Sequence, residues 1–200
     1  MKRHLGFSLI EMIVAIIIMG IALVGFTSYL YPQMRESAAP HYQTRAVALG
    51  QSLMSQILSR GFDQWSDFDG GSIRCGELRV PANASNPDNN CTDAGFLGLD
   101  AGELVSSPES YNDVDDFIGC WKTGTTAAQC RSNVEHDLTD VLNNSSADEY
   151  KNFRAEVSVS YATSSDISDT TRPQDFKIIT INIFASQYGP YTLTAYKGNY

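Results

Sequence analysis

The sequence predicts an α+β fold: a long N-terminal helix laid on an antiparallel sheet of at least three strands, with a loop-rich, disulfide-bonded middle. Three observations carry this. From Phe7 to Leu30, 24 residues hold Glu11 as their only charge. Beyond them Tyr42, Ala46, Leu49, Leu53 and Ile57 recur at helical spacing, an apolar stripe that asks for a surface to cover. Near the other end Phe153, Ala155, Val157, Val159 and Tyr161 alternate with Arg154, Glu156, Ser158 and Ser160, the pattern of a half-buried strand.

The first run is about 36 Å of helix at 1.5 Å per residue, enough to cross a bilayer with some tilt. Lys2, Arg3 and His4 precede it, so the positive-inside rule keeps the N-terminus cytoplasmic and sends the rest of the chain across. A cleaved secretory signal has a shorter apolar core with a small-residue site behind it. Ser37-Ala38-Ala39 offers such residues, but the core is too long and Tyr31 to Glu36 intervene. Glu11 is then the anomaly. Charges inside membrane segments are costly and usually functional. Glu11 lies close to one end, where it could sit at the interface and snorkel. Glutamate is short and basic residues snorkel better, and the sharper reading is that its carboxylate awaits a positive partner from another chain.

Pro32 and Pro40 should bend or locally open the helix, and Gly61 after Arg60 sits where a C-cap glycine would. This gives one helix from Phe7 to about Arg60, divided into a membrane part at 7–31 and an amphipathic continuation at 32–61. The head follows at 62–200. Its first part, 62–150, reads as loops: Asp63, Trp65, Phe68, Gly70 and Gly71 open a turn-rich stretch, and residues 81–91, PANASNPDNNC, are irregular. In the second part, 151–200, FKIITINIFA at 176–185 reads as a central strand, Tyr188-Gly189-Pro190 as a turn, and Tyr191 to Tyr196 as a third strand.

All four cysteines, Cys75, Cys91, Cys120 and Cys130, fall in the exported part, where an even count reads as two disulfides. Three connectivities are open; short loops favour Cys75–Cys91 with Cys120–Cys130. The chain carries a net charge of −9, and without residues 1–30 it keeps 12 basic and 22 acidic residues. Nucleic acid is therefore disfavoured as a partner, since phosphate binding needs clustered lysine and arginine.

Nothing here reads as an enzyme: there is no G-x-S-x-G, no H-E-x-x-H and no Walker loop. His136, beside Asp137, is expected at the surface. Asp113, Asp115 and Asp116 are the one weak metal candidate, oxygen ligands of the kind Ca²⁺ takes but without EF-hand spacing; Asp88, Asn90 and Asp93 are a weaker group. The alternative is a solvated acidic turn with Asp113 as a cap. No other cofactor is implied. Trp65 and Trp121 could stack sugars in a membrane-anchored or secreted carbohydrate-binding or hydrolytic domain, although aromatics belong more often to a core.

Gly6-Phe7-Ser8-Leu9-Ile10-Glu11 behind a short basic head resembles the class III signal of type IV pilins and type II secretion pseudopilins. Ser8 stands where threonine is commoner. The resemblance implies the type IV pilin fold and a leader at 1–6. It also implies that a prepilin peptidase cuts between Gly6 and Phe7, that Phe7 is N-methylated, and that Glu11 meets the Phe7 amine of a neighbouring subunit. Pro40, Gln43, Arg45 and Ala46 after the stem, then Phe62-Asp63, Arg74-Cys75, Asp113 to Phe117 and Leu193 to Tyr200, together look like the D-type minor pilins of the mannose-sensitive haemagglutinin (MSHA) pilus. That implies other major and minor pilins and an inner-membrane assembly platform as partners. It also implies passage from the inner membrane to an extracellular pilus of a Gram-negative bacterium. A minor pseudopilin or a competence pilin would share the same stem.

Overall fold

A computed structural model describes residues 8–66, 74–76, 90–138, 148–162 and 175–199, except the side chains at 35, 36 and 38. The basic head, Gly6, Phe7, Phe68, Gly70, Gly71, Asp88 and Tyr200 lie outside the described residues. The chain divides into two compact units, residues 1–42 and 43–200.

One α-helix, α1, spans Leu9–Leu58. Pro32 and Pro40 lie inside it and do not open it. Each removes one N–H from the ladder, and fifty residues of cooperative helix absorb the loss. Gly61 does not cap α1 in a left-handed conformation. Instead its N–H reaches the Asn112 carbonyl at 2.9 Å and Gly61 bridges to Asp113, so the chain leaves the helix by joining the acidic turn.

In the second unit five strands form one sheet in the order β2-β1-β3-β4-β5. These are β1 Gly119–Lys122, β2 Glu135–Asp137, β3 Phe153–Tyr161, β4 Phe176–Ala185 and β5 Tyr188–Gly198. The antiparallel set β3-β4-β5 is the one the sequence alternation implies. Beyond it β1 pairs antiparallel with β3 and parallel with β2, so the sheet is mixed at one edge. The turn into β5 also differs from expectation. Ala185 pairs with Tyr188, leaving Ser186-Gln187 as a two-residue loop, and Tyr188 already belongs to the strand. Such loops need a positive φ, which Ser186 supplies at 58°. Gly189 follows at φ 106°, where a Cβ would lie 2.7 Å from the Ile183 carbonyl.

The core forms where the back half of α1 meets the inner face of the sheet. Ala46, Leu49, Leu53 and Ile57 are buried on the helix, as are Val157, Ile179, Ile181 and Ile183 on the strands. Each large apolar side chain so buried stabilises by about 1.5–3 kcal/mol. Gly50 sets the helix-to-sheet distance: a Cβ there would lie 2.5 Å from Ile183 Cδ1 and 2.8 Å from Leu193 Cδ1. Arg45 spreads its guanidinium over Tyr150 and Phe153, 5.3 and 5.5 Å from the ring centres.

Candidate functional site

The first unit presents an exposed apolar surface. From Leu9 to Met34 the large side chains face outward, Ile16 and Ile21 each 69 % exposed. An 18-residue window reaches a mean hydropathy of 2.7, and the helix is long and apolar enough to cross a membrane. Two hydroxyls in the run are satisfied within it. Thr27 Oγ1 donates to the Leu23 carbonyl at 2.9 Å and Ser28 Oγ to that of Val24 at 2.8 Å, which suits a medium without hydrogen-bond partners. Glu11 lies in the first turn of α1, where the Ser8 carbonyl accepts from the N–H groups of Glu11 and Met12. A carboxylate there faces the positive end of the helix dipole, a gain of about 0.3–1 kcal/mol that lowers the cost of the charge without cancelling it. Gly6 and Phe7, the residues of the expected cleavage, precede the described residues.

The second unit does the reverse and buries its charges. Lys177 follows the same alternation as Ile179, Ile181 and Ile183, so β4 points it into the core, where it has no exposed surface. Its ammonium finds three acceptors: the Phe62 carbonyl at 2.6 Å, Asp115 Oδ1 at 2.5 Å and Asp63 Oδ2 at 3.4 Å. The Phe62 and Tyr161 rings flank it at 4.8 and 5.4 Å. The acids are held in turn by backbone. Asp63 accepts from Trp65 and Thr92 N–H, and Asp115 Oδ2 from Gly98 N–H. Asp113 Oδ1 accepts from Asp115 N–H, an Asx turn that opens the 3₁₀ turn Asp115–Phe117.

This separates the three aspartates that sequence places together. Asp115 turns to Lys177, and Asp113 supports Asp115. Asp116 goes elsewhere, and one carboxylate oxygen from each of Asp100, Glu103 and Asp116 lies within 4.8 Å of the others. None of the aspartates at 113, 115 and 116 is solvated; all are at most 1 % exposed. Burial pushes Asp113 up to about 10, with Asp115 adding to the effect and Lys177 opposing it. Asp116 is pushed up to about 8, by burial first and then by a hydrogen bond shared with Glu103. Burial and Glu103 raise Asp100 to about 6.

His136 is likewise buried, contrary to the surface position expected beside Asp137. β2 is three residues long and sends only its middle side chain inward. There the imidazole stacks on Trp121, ring centres 4.4 Å apart. Nε2–H donates to the Ile118 carbonyl at 3.1 Å, so Nδ1 accepts from Tyr111 O–H at 2.9 Å. Burial lowers the His136 pKa, which fits this neutral tautomer. Trp121 is 1 % exposed and donates Nε1–H to the Phe117 carbonyl, so it is core and cannot stack a sugar. Gly119, at φ 146°, lets β1 pass: a Cβ would lie 2.8 Å from His136 Nε2.

Two disulfides tie the head together, Cys75–Cys91 and Cys120–Cys130, with Cα separations of 4.8 and 5.7 Å. The first is fastened to the chain end, because Asn199 Nδ2 donates to the Cys75 carbonyl at 3.0 Å.

Against known families, residues 1–27 match the prokaryotic N-terminal methylation motif. This match supports a type IV pilin-like or pseudopilin precursor, a structural subunit handled by a prepilin peptidase and assembled with other subunits of its kind. Neither the curated proteins nor the solved structures provide a match to the chain.

Proposed function

We propose that the chain is a minor subunit of an MSHA-type type IV pilus. The peptidase cuts it after Gly6 and the new amine on Phe7 is methylated. Residues 7–31 hold it in the inner membrane of a Gram-negative cell until it enters an extracellular filament that serves adhesion. One observation carries the proposal: a methylation motif runs directly into an exposed apolar helix whose first turn bears a carboxylate. Cleavage after Gly6 creates a cation near the low-dielectric zone. A carboxylate and an amine left apart there are each heavily penalised, whereas a pair between neighbours removes most of that penalty. The rest of the stem is apolar and slides without preference, so the pair acts as a register device. The acidic head does no chemistry in this reading.

The test is the mass of the mature N-terminus in protein recovered from cell envelopes and from sheared surface filaments. N-methylated Phe7 in both fractions is the expected result. A chain starting at Met1 or at Pro40 would overturn the proposal. Processed protein confined to the envelope would point instead to a pseudopilin of type II secretion.

A further inference from the structure

A second group of carboxylates in the head has no cationic partner among the described residues. Asp100, Glu103 and Asp116 converge, one carboxylate oxygen from each within 4.8 Å of the other two. Asp100 Oδ2, Glu103 Oε1 and Asp116 Oδ1 are all buried and find no donor among the described residues. Asp116 is the decisive member. It has no exposed surface, and two backbone N–H groups, of Asn112 and Asp113, hold its Oδ2 at 2.9 and 3.0 Å. That anchoring leaves Oδ1 beside the Glu103 carboxylate, and two carboxylates can hold that contact only with a proton or a cation between them. Asn112 Oδ1, from the residue whose N–H anchors Asp116, is a fourth buried oxygen without a partner.

Buried acceptors left unpaired are strongly unfavourable, and clustered carboxylates repel one another as well. Among the described residues no cation relieves them. Lys177, the nearby buried base, spends its ammonium on Phe62, Asp63 and Asp115. Among the described residues no lysine, arginine or histidine forms an ion pair with Asp100, Glu103 or Asp116. The loop is nevertheless built to hold this shape. Asp100 N–H donates to Glu103 Oε2, Glu103 N–H to the Asp100 carbonyl, and Gly98 N–H ties the loop to Asp115.

We propose that Asp100, Glu103 and Asp116 hold a calcium ion in the head. The donors are all oxygen, which selects a hard cation over zinc or copper. Two ligands on opposite sides of Ca²⁺, each at about 2.4 Å, stand about 4.8 Å apart, so the cluster fits inside one coordination sphere. Asp100 and Glu103 are only partly buried, which leaves the ion a way in and room for water to complete its shell. This inference concerns the head alone and stands whether or not the chain enters a pilus.

The experiment uses the full chain in detergent, stripped with a chelator and titrated with CaCl₂ by calorimetry and by thermal melting. One saturable site is expected, with a dissociation constant on the order of 10⁻⁴–10⁻³ M, as in extracellular modules. At 10 mM calcium the melting temperature should rise by about 3–10 °C, and less with MgCl₂. Glu103→Gln should weaken calcium binding at least tenfold while leaving the calcium-free melt near the wild-type value. A merely structural Glu103 would do the opposite, lowering the calcium-free melt and keeping the calcium-dependent rise. Asp137→Asn, at an exposed acid on β2, serves as the control and should bind like wild type. Absence of both heat and melting shift in the wild-type chain would mean that Asp116 and Glu103 only share a proton, and the proposal would fall.

Discussion

Along residues 9–34 the isoleucines face outward, Ile16 and Ile21 each 69 % exposed, while in residues 43–199 four aspartates, a lysine and a histidine face inward with at most 1 % of their surface exposed. Both regions invert the usual placement of apolar and charged groups, and for different reasons. In the stem the apolar surface finds nothing among the described residues to cover it, so its proper medium lies outside: lipid, or other stems. In the head Lys177, Asp63 and Asp115 find one another, so the inversion is settled internally and supports structure. Function is read from the unmet surface. The Asp100–Glu103–Asp116 cluster is the place in the head that behaves like the stem, with demands the described chain leaves open.

Removing the internal settlement should have the largest effect. Lys177→Met leaves Asp63 and Asp115 buried beside no cation, which should destabilise the head by about 3–5 kcal/mol. Chemical denaturation of the full chain in detergent measures it, and a loss below about 1 kcal/mol would show that the charges are not coupled. Next comes the shorter disulfide: Cys120→Ala with Cys130→Ala opens a 10-residue loop and should cost about 3 kcal/mol. Alkylation of the native wild-type protein should find no free thiol, since all four cysteines are paired.

Gly50→Leu probes where α1 lies closest to β4 and β5. Its side chain would displace Ile183 and Leu193, at a cost of about 1–3 kcal/mol, readable as a lower melting temperature. A pH dependence follows from the buried acids. Asp113 and Asp116 titrate in the fold at about 10 and about 8, far above the ordinary 3.8, so between pH 7 and 9 the native state holds protons that the unfolded chain has released. Stability should therefore fall as pH rises through this window with calcium chelated, and a rise would contradict the burial of these acids. His136 adds nothing there, because folded and unfolded forms are both neutral above its ordinary 6.5. The smallest effect on the head belongs to Glu11→Val, expected within about 0.5 kcal/mol in melting. Cleavage after Gly6 should survive that change and entry into sheared filaments should not. Normal incorporation of the variant would remove the pairing role assigned to Glu11.

The stem and the three C-terminal strands are legible because their patterns are long: 24 residues of apolar run, and alternation kept up through β3 and β4. Reading FKIITINIFA as a central strand does not single out Lys177, although it occupies the inward phase. The acid it meets is equally hidden. Asp115 lies 62 residues before Lys177, and no local pattern links them. β1 and β2 escape for a related reason. Four and three residues are too few to display a period, and the tripeptide Glu-His-Asp hides one inward histidine between two outward acids. The cation candidates read from sequence were neighbours along the chain, whereas Asp116 finds Asp100 and Glu103 across a loop.

The buried lysine also sets the order in which the head can fold. Lys177 meets Phe62 from 115 residues away, Asn199 meets Cys75 from 124 away, and Lys197 meets the Leu58 carbonyl from 139 away. Contacts that close such long loops meet their entropic cost before any return, which slows the search for the native topology. Until β4 arrives, Asp63 and Asp115 must keep their water, because no other described cation is placed to replace it. The last 25 described residues therefore deliver two strands and the charge together.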